Sequence, residues 1–141
     1  MKILSNIKVE EITSTTIISV SEDMTIEYIL KNYFSAYMKS AFPVIDSNGN
    51  ELIGIIILKE CLKVPEESKS ITTVKKVMLP KDRTIIMNSG DTVDKALNQM
   101  VTRNQDKAYI CDSKNIPIGV VSKTDLLEAI NKRKLFLNQI K

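Results

Sequence analysis

Residues 108–125 read Ala108-Tyr-Ile-Cys-Asp-Ser-Lys-Asn-Ile-Pro-Ile-Gly-Val-Val-Ser-Lys-Thr-Asp125, a pattern that the chain has already used once. The earlier copy is Phe42-Pro-Val-Ile-Asp46, followed by Leu52-Ile-Gly-Ile-Ile-Ile-Leu-Lys-Glu60. Asp46 and Asp112 lie 66 positions apart. Upstream, Asp23-Met-Thr-Ile-Glu-Tyr-Ile-Leu30 matches Gly90-Asp-Thr-Val-Asp-Lys-Ala-Leu97 at an offset of 67. Matched features at a nearly constant offset predict a tandem duplication.

The bulk composition is that of an ordinary globular protein. The chain has 141 residues, 43% hydrophobic and 26% charged, and a formal net charge of +3, which is too small to indicate nucleic-acid binding. Cys61 and Cys111 lie in apolar stretches without metal-ligand spacing, so we expect both to fill the core and the chain to suit a reducing cytoplasm. The first residues do not resemble a signal peptide, because Lys8, Glu10 and Glu11 interrupt any apolar run.

Missing residue types and motifs argue against an enzyme. The sequence contains no histidine, which removes the commonest general base and zinc ligand. It has four glycines and neither a Walker A nor a GxGxxG motif, so it cannot build a glycine-rich phosphate loop. We therefore expect neither a catalytic residue nor a metal site.

The first half predicts strand, helix, strand, strand and helix. The β-branched run Thr16–Val20 is typical of a strand, and Thr25 is placed to cap a helix. That helix has one apolar stripe at the spacing of a buried face: Ile26, Ile29, Leu30, Tyr33, Phe34 and Tyr37. Phe42–Ile45 and Ile53–Ile57 predict two strands joined by a turn at Asp46–Gly49, in which Asn-Gly favours positive φ. A short helix over Lys59–Lys63 ends before Pro65.

The second half repeats this order after a polar connector at Glu66–Ser70. The predicted elements are the strand Thr84–Met87, the helix Asp91–Arg103, the strands Lys107–Cys111 and Ile118–Ser122, and a long helix from Lys123. Val93, Ala96, Leu97, Met100 and Val101 are expected to face inward. Each half is too small to stand alone, so we expect one α/β (α+β) module of two βαββα repeats, residues 1–68 and 69–141, with pseudo-two-fold symmetry and sheets packed together.

The repeated motifs resemble the CBS (cystathionine β-synthase) domain, on Phe42-Pro-Val-Ile-Asp46, the glycine-led strands at Gly54 and Gly119, and Gly119-Val-Val-Ser-Lys-Thr-Asp125. Two copies would form a CBS pair, or Bateman module, over residues 8–133. Leu30-Lys-Asn-Tyr-Phe34 and Leu58-Lys-Glu-Cys-Leu-Lys-Val-Pro65 further resemble the CBS pair of site-2-type membrane metalloproteases. The resemblance implies a regulatory module that binds AMP, ADP, ATP, S-adenosylmethionine or cyclic dinucleotides between the repeats and usually dimerises.

The family's ligand signature, Gly-x-x-Ser/Thr-x-x-Asp, is intact in the second repeat as Gly119, Ser122 and Asp125. The resemblance implies that Asp125 accepts the ribose hydroxyls and that Ser122 contacts a ribose or phosphate oxygen. It also implies a lining from the opposite repeat: Thr16, Ile17 and Ile18 beside the adenine, and Lys39, Ser40 and Ala41 at the ribose-phosphate end. A second interpretation is that Ser122 and Asp125 form a capping box at the start of the last helix.

The first repeat departs from this signature, with Ile57 in place of Ser/Thr and Glu60 in place of Asp. A second, weaker site would include Ile57, Glu60, Thr84, Ile85 and Lys107, the lysine supplying a phosphate charge or serving only as a solvated strand-end residue.

Two further functions stay open at this point. The chain could be a ligand-free dimerisation or docking module, or it could bind nucleic acid through Asn131-Lys-Arg-Lys134. Cations are already favoured at the end of a helix, which weakens the second reading. A further set of apolar residues would have to be buried against a second copy of the chain, which predicts a homodimer: Tyr28, Tyr37, Leu135, Phe136 and Leu137. An effector protein or domain would respond to the ligand-bound state of the module. We expect no membrane insertion, because the longest apolar run, Leu52–Leu58, is too short to span a bilayer.

Overall fold

The computed structural model describes residues 7–140, with the side chain of residue 140 left out. The chain divides into two compact units. One, the 18–84 unit, contains residues 18–84 together with 114–116. The other, the 85–141 unit, contains residues 85–113 and 117–140 together with residues 7–17. The N-terminal segment therefore belongs to the unit of the second repeat.

The 18–84 unit is a four-stranded sheet with helices. Its strands follow the order β1-β2-β3-β4, with β1 parallel to β2 and the other pairs antiparallel. Its elements are β1 (Val20–Ser21), α1 (residues 26–37), β2 (Ala41–Ile45), β3 (Leu52–Ile57), α2 (Leu58–Leu62), a 3-10 turn (Glu66–Ser68), α3 (Val74–Val77), β4 (Leu79–Pro80) and a 3-10 turn (Lys81–Arg83). The two middle strands are nearly all apolar, as expected for strands buried on both faces.

Helix α1 begins at the predicted cap and contains a π-turn. The backbone N–H of Tyr28 donates to the Thr25 hydroxyl oxygen at 3.1 Å. The helix runs as an α segment, a π segment and a last α turn: Ile26–Ile29, Leu30–Phe34 and Ser35–Tyr37. Phe34 packs edge-on against Phe42 of β2, with ring centroids 4.9 Å apart. The apolar stripe predicted from the sequence therefore faces the core, except that Tyr37 is 48% exposed.

The 85–141 unit is built on a three-stranded sheet. Strand β5 pairs in parallel with β6, and β6 pairs antiparallel with β7. Its elements are a 3-10 turn (Val9–Glu11), β5 (Ile86–Met87), α4 (Val93–Arg103), β6 (Lys107–Cys111), β7 (Pro117–Ser122) and α5 (Lys123–Ile140). Its core contains Ile7, Val9, Ile85, Met87, Val93, Ala96, Met100, Ala108, Ile110, Val121, Leu126 and Ile130.

Two glycines at equivalent positions let a third segment approach each hairpin. Gly54 of β3 pairs with Pro80 of β4, and a Cβ on Gly54 would lie 2.3 Å from the carbonyl oxygen of Leu79. Gly119 of β7 has the same role, because an isolated bridge joins Ser14 to the neighbouring Val120. A Cβ on Gly119 would lie 2.2 Å from a Thr13 methyl carbon. Neither glycine has a positive φ, so the lack of a side chain at both positions serves the close approach of the neighbouring segment and not a left-handed backbone.

The structure confirms the predicted α+β class and the repeated order of elements, and it corrects several details. The strands predicted from Thr16 and Thr84 begin only at Val20 and Ile86. Gly49 does not have the positive φ expected in the first hairpin turn, where Asn50 has a φ of 60° instead. Val101 is 61% exposed rather than inward. The short elements α3 and β4 were not predicted, because four-residue and two-residue elements carry too little periodicity.

Candidate functional site

The junction of β7 and α5 holds the second-repeat signature as a reciprocal pair. The backbone N–H of Asp125 donates to the Ser122 hydroxyl oxygen at 3.1 Å, and the backbone N–H of Ser122 donates to Asp125 Oδ2 at 3.3 Å. This is a capping box with Asp in the place of Glu, as predicted. Both side chains are half-buried. Within the described residues, the structure gives no protein partner to Asp125 Oδ1, so the cap occupies only one carboxylate oxygen.

Strand β6 begins beside this pair. Lys107 is the cross-strand partner of Ser122, and the backbone N–H of Lys123 donates to the Asp106 carbonyl oxygen at 2.7 Å. Directly paired side chains of an antiparallel ladder lie on the same face of the sheet. The Lys107 side chain is 29% exposed, and its Nζ lies 3.9 Å from Asp106 Oδ1. The junction therefore brings Asp106, Lys107 and Lys123 to the signature.

The lining residues predicted for this site are distributed over both units. Thr16 is exposed and Ile17 half-buried in the 85–141 unit, which also holds Ser122 and Asp125. The remaining four belong to the 18–84 unit: half-buried Ile18, exposed Lys39 and Ser40, and half-buried Ala41. Within that unit, Ala41 pairs across the ladder with Ile57, and the Ser40 carbonyl oxygen accepts from the Leu58 N–H at 2.9 Å.

The first-repeat counterpart of the signature has no capping box. Ile57 stands at the N-cap of α2 and makes no side-chain cap hydrogen bond. Glu60 forms an exposed ion pair with Lys63, with 3.1 Å between Nζ and Oε1. These contacts follow from the sequence, because an isoleucine has no oxygen to offer to the first N–H groups of a helix.

Thr84 and Ile85, the other residues predicted for the weaker site, are both buried. The Thr84 hydroxyl donates to the Pro80 carbonyl oxygen at 3.0 Å, within the 18–84 unit. Ile85 is completely buried in the core of the 85–141 unit. Their side chains are therefore already used by the fold of their own units.

Sequence reasoning missed the proximity of Lys107 to Ser122. Lys107 was predicted for the first-repeat site, and the strand register pairs it with Ser122 in the same way as it pairs Ala41, predicted for the second-repeat site, with Ile57. The signal was present, because two strands joined by a short turn form a hairpin whose base brings the first residue of one strand beside the last residue of the other. The proximity of Asp106 to the same end of β7, which follows from the same hairpin, was also missed.

The two cysteines lie in the core, as predicted. Cys61 and Cys111 are buried and are not joined in a disulfide, and burial raises the pKa of the Cys61 thiol to about 11. Within residues 7–139, whose side chains are described, no group of His, Cys, Asp and Glu side chains is arranged to hold a metal ion. No helix in the described part of the chain has the length and apolar character needed to cross a bilayer.

Similar proteins share this architecture. The CBS domain of a bacterial CNNM/CorC family Mg²⁺ transporter, solved in complex with ATP, superposes with a TM-score of 0.80 at 21% identity and covers 90% of this chain and 89% of that one. Zinc metalloprotease MJ0392 of Methanocaldococcus jannaschii is 26% identical over 129 residues, which are 92% of this chain and 34% of that protein. UPF0053 protein MG146 homolog of Mycoplasma pneumoniae is 27% identical over 101 residues, 72% of this chain and 23% of that protein.

The chain thus spans only about a quarter to two fifths of the first curated relatives that it matches. The family match itself extends over nearly the whole sequence. Residues 9–67 and 74–132 each match the CBS domain. The chain therefore belongs to the CBS domain family and carries two copies of the domain.

Proposed function

We propose that this chain is a regulatory module that senses an adenosine-containing ligand, AMP, ADP, ATP or S-adenosylmethionine, through its second-repeat signature. The observation that carries the proposal is the Ser122–Asp125 pair that follows Gly119. Its carboxylate leaves Oδ1 available after the cap is made, and a carboxylate oxygen is a strong acceptor for ribose hydroxyls. Glycine at 119 keeps the strand close to its neighbouring segment and thereby fixes the junction.

The junction favours a ribose over a phosphate at the helix N-terminus itself. Two of the first N–H groups of α5 already donate to protein acceptors, Lys123 N–H to Asp106 and Asp125 N–H to Ser122. Fewer free N–H groups remain there for an anion than at an unoccupied helix N-terminus. We therefore assign phosphate contacts to lysine side chains, with Lys39 as the candidate at this site and Lys107 as the candidate at the first-repeat site.

The remaining lining of the site is proposed by family resemblance. Thr16, Ile17 and Ile18 would contact the adenine, and Ser40 and Ala41 the ribose-phosphate end. The CBS domain of the CNNM/CorC transporter, which resembles this chain in fold, binds ATP, and this supports an adenine nucleotide as the ligand class. The first-repeat site, with Ile57, Glu60, Thr84, Ile85 and Lys107, is proposed to bind more weakly, because neither Ile57 nor the paired Glu60 reproduces the signature.

The proposed regulatory role extends to the oligomeric state, the cellular location and the protein partner. We propose a cytoplasmic homodimer whose bound state is read by an effector protein or domain, as an energy-sensing device would require. The alternative is a docking or dimerisation module that binds no ligand, and the lack of a signature in the first repeat supports that alternative there. Nucleic-acid binding is a weaker alternative, and we propose no catalytic step for these residues.

Isothermal titration with AMP, ATP and S-adenosylmethionine tests the proposal through Asp125. Asp125→Ala should weaken binding by about 1.5–3 kcal/mol, the usual contribution of hydrogen bonds to a charged group. Asp125→Asn keeps the size and one acceptor, so it separates the ligand role from the cap, which itself contributes about 0.3–1 kcal/mol to stability. Glu60→Ala is the matched control and should change affinity far less.

The ligand role of Asp125 is wrong if wild type and both Asp125 variants bind with equal affinity while remaining folded. In that case the pair only caps α5. Failure of all three ligands to bind wild type would instead favour the docking module.

A further inference from the structure

We infer that Asn48 is a site of spontaneous deamidation in the turn between β2 and β3, and that the Asp46 carboxylate slows this reaction in the folded protein. The inference is independent of the proposed ligand site. Of the four glycines in the sequence, only Gly49 follows an asparagine. The Asn48 side chain lies exposed in the turn, within reach of solvent.

The fold does not need the glycine of this pair. Gly49 does not have a positive φ, and a Cβ placed on it would meet no atom closer than 3.8 Å. An alanine would therefore fit at this position without strain or crowding. The feature that the glycine does provide is a backbone nitrogen without a side chain beside it, which leaves that nitrogen open to react.

The reaction joins this nitrogen to the neighbouring side chain. After losing its proton, the backbone nitrogen of Gly49 attacks Cγ of Asn48, a nitrogen–carbon bond closes a succinimide ring, and ammonia leaves. Water then opens the ring at one of its two carbonyls and gives aspartate or isoaspartate. The isoaspartate form carries the main chain through the former side chain and so lengthens it by one carbon. Water is the only co-reactant.

The folded turn opposes the first step of this reaction, the loss of the proton. The backbone N–H of Gly49 donates to Asp46 Oδ1 at 2.8 Å. Losing that proton would break the hydrogen bond and place a negative nitrogen beside a carboxylate, and both effects disfavour it. A second carboxylate flanks the same residue, because the position of a Cβ on Gly49 lies 3.8 Å from Glu51 Oε2 as well as from Asp46 Oδ1.

Deamidation would disturb the strand that follows the turn. The new carboxylate at residue 48 would join those of Asp46 and Glu51 in one short turn, where like charges repel each other. Within the 18–84 unit, Leu52 at the start of β3 exchanges two hydrogen bonds with Asn115: its N–H donates to the Asn115 carbonyl oxygen at 2.9 Å, and its carbonyl oxygen accepts from Asn115 Nδ2 at 3.1 Å. The longer isoaspartate backbone would displace Leu52 from this pairing, so the deamidated protein should have a lower Tm.

The test is mass-spectrometric peptide mapping of Asn48 during incubation at mildly alkaline pH, with each protein both folded and unfolded in urea. Folded wild type should deamidate roughly tenfold more slowly than the unfolded chain. Asp46→Asn keeps an oxygen that can accept from Gly49 N–H but removes the charge, and it should speed the reaction of the folded protein roughly fivefold, the effect of one charge at about 4 Å in a water-like medium. This gain should shrink in about 1 M salt, and the two chains should react at nearly the same rate in urea.

Two variants serve as matched controls. Asp112→Asn makes the same change at the equivalent position of the second hairpin and should leave the rate at Asn48 unchanged. Gly49→Ala should slow the reaction in both states and keep the Tm of wild type, since the added methyl group meets no crowding.

Equal rates for folded and unfolded wild type would overturn the inference. A slower reaction in folded Asp46→Asn would overturn it too, because the carboxylate would then be acting as a base that removes the proton. A gain that salt leaves unchanged would assign the effect to a loosened turn and not to the carboxylate charge, and would likewise contradict it. None of these results bears on the role of Asp125.

Discussion

Left-handed backbone conformations form two matched pairs in the described part of the chain. Met38 (φ 55°) and Asn104 (φ 53°) end the equivalent helices α1 and α4, while Asn50 (φ 60°) and Asn115 (φ 65°) lie in the equivalent hairpin turns. Asparagine is the residue other than glycine that tolerates this conformation best. Met38 is thus the one exception, and its side chain is 88% exposed, so packing does not explain it.

Met38→Asn should therefore stabilise the protein. The methionine carries a steric cost in the left-handed region that asparagine largely avoids, and we expect the free energy of unfolding to rise by about 0.5–1 kcal/mol. Urea denaturation measures it. Asn104→Met, the reverse change at the equivalent position, should destabilise by a similar amount, and a destabilised Met38→Asn would contradict the steric argument.

The two equivalent glycines differ in what blocks a methyl group, and this gives a second prediction at single residues. Gly119→Ala should destabilise by about 1–3 kcal/mol through overpacking. The nearest atom is a Thr13 methyl carbon, so Thr13→Ser, which removes that methyl and keeps the hydroxyl that donates to the Val9 carbonyl, should restore part of the loss, while the Ser14 carbonyl oxygen, 3.0 Å from the new Cβ, still opposes the methyl group.

Gly54→Ala should have no such rescue, because the obstructing atom is the Leu79 carbonyl oxygen of the backbone. Thermal denaturation of the three variants measures the difference. Equal stability of Gly119→Ala with and without Thr13→Ser would show that the methyl contact does not set the cost.

At the scale of elements, the π-turn accounts for an irregularity in the repeat. Helix α1 covers 12 residues and α4 covers 11, although both begin after an equivalent threonine and end at an equivalent left-handed residue. The offset between the copies is 67 before this helix and 66 after it. The wider turn at Leu30–Phe34 absorbs the additional residue, so the ends of the two helices stay equivalent.

Deleting Asn32 should convert α1 into a regular α-helix at a cost of about 1 kcal/mol or less, because the π-turn holds one surplus residue. Asn32 is exposed, and its side chain donates to the Tyr28 carbonyl oxygen. Deleting Asn98, an exposed residue of the regular helix α4, should cost about 3 kcal/mol or more, since it rotates Met100 out of the core. Urea denaturation compares them, and equal losses would contradict the surplus-residue explanation.

The sequence predicted the elements with strong periodicity and missed those defined by tertiary contact. The bounds of β6 were predicted correctly, since five mostly apolar residues are followed by turn residues. The π-turn was missed, although the fall of the repeat offset from 67 to 66 across α1 shows one additional residue there. The Ser122–Asp125 cap could be predicted from the sequence, whereas the position of Lys107 beside Ser122 required the strand register.

For the whole molecule, exposed apolar side chains predict self-association. Leu135 and Phe136, on the last turns of α5, are 64% and 62% exposed, and Tyr28 and Tyr37 are about half exposed. We expect sedimentation equilibrium at micromolar concentration to give a dimer mass, and Phe136→Asp and Tyr37→Asp to lower the association constant by removing apolar area. Asn131→Asp, an exposed change of charge on α5, should leave the mass unchanged. A monomer mass for wild type would contradict the prediction.

The division of the chain between its two units also determines the order in which they can fold during synthesis. Ser14 pairs with Val120, whose codon is translated more than a hundred residues later, whereas almost all of the 18–84 unit is complete when residue 84 has been made. At a synthesis rate of roughly 5–20 residues per second, the segment around Ser14 is therefore made several seconds before β7, the strand that it pairs with. The segment around Ser14 is thus made long before the strand that pairs with it, and until that strand is made it remains accessible to proteases and chaperones.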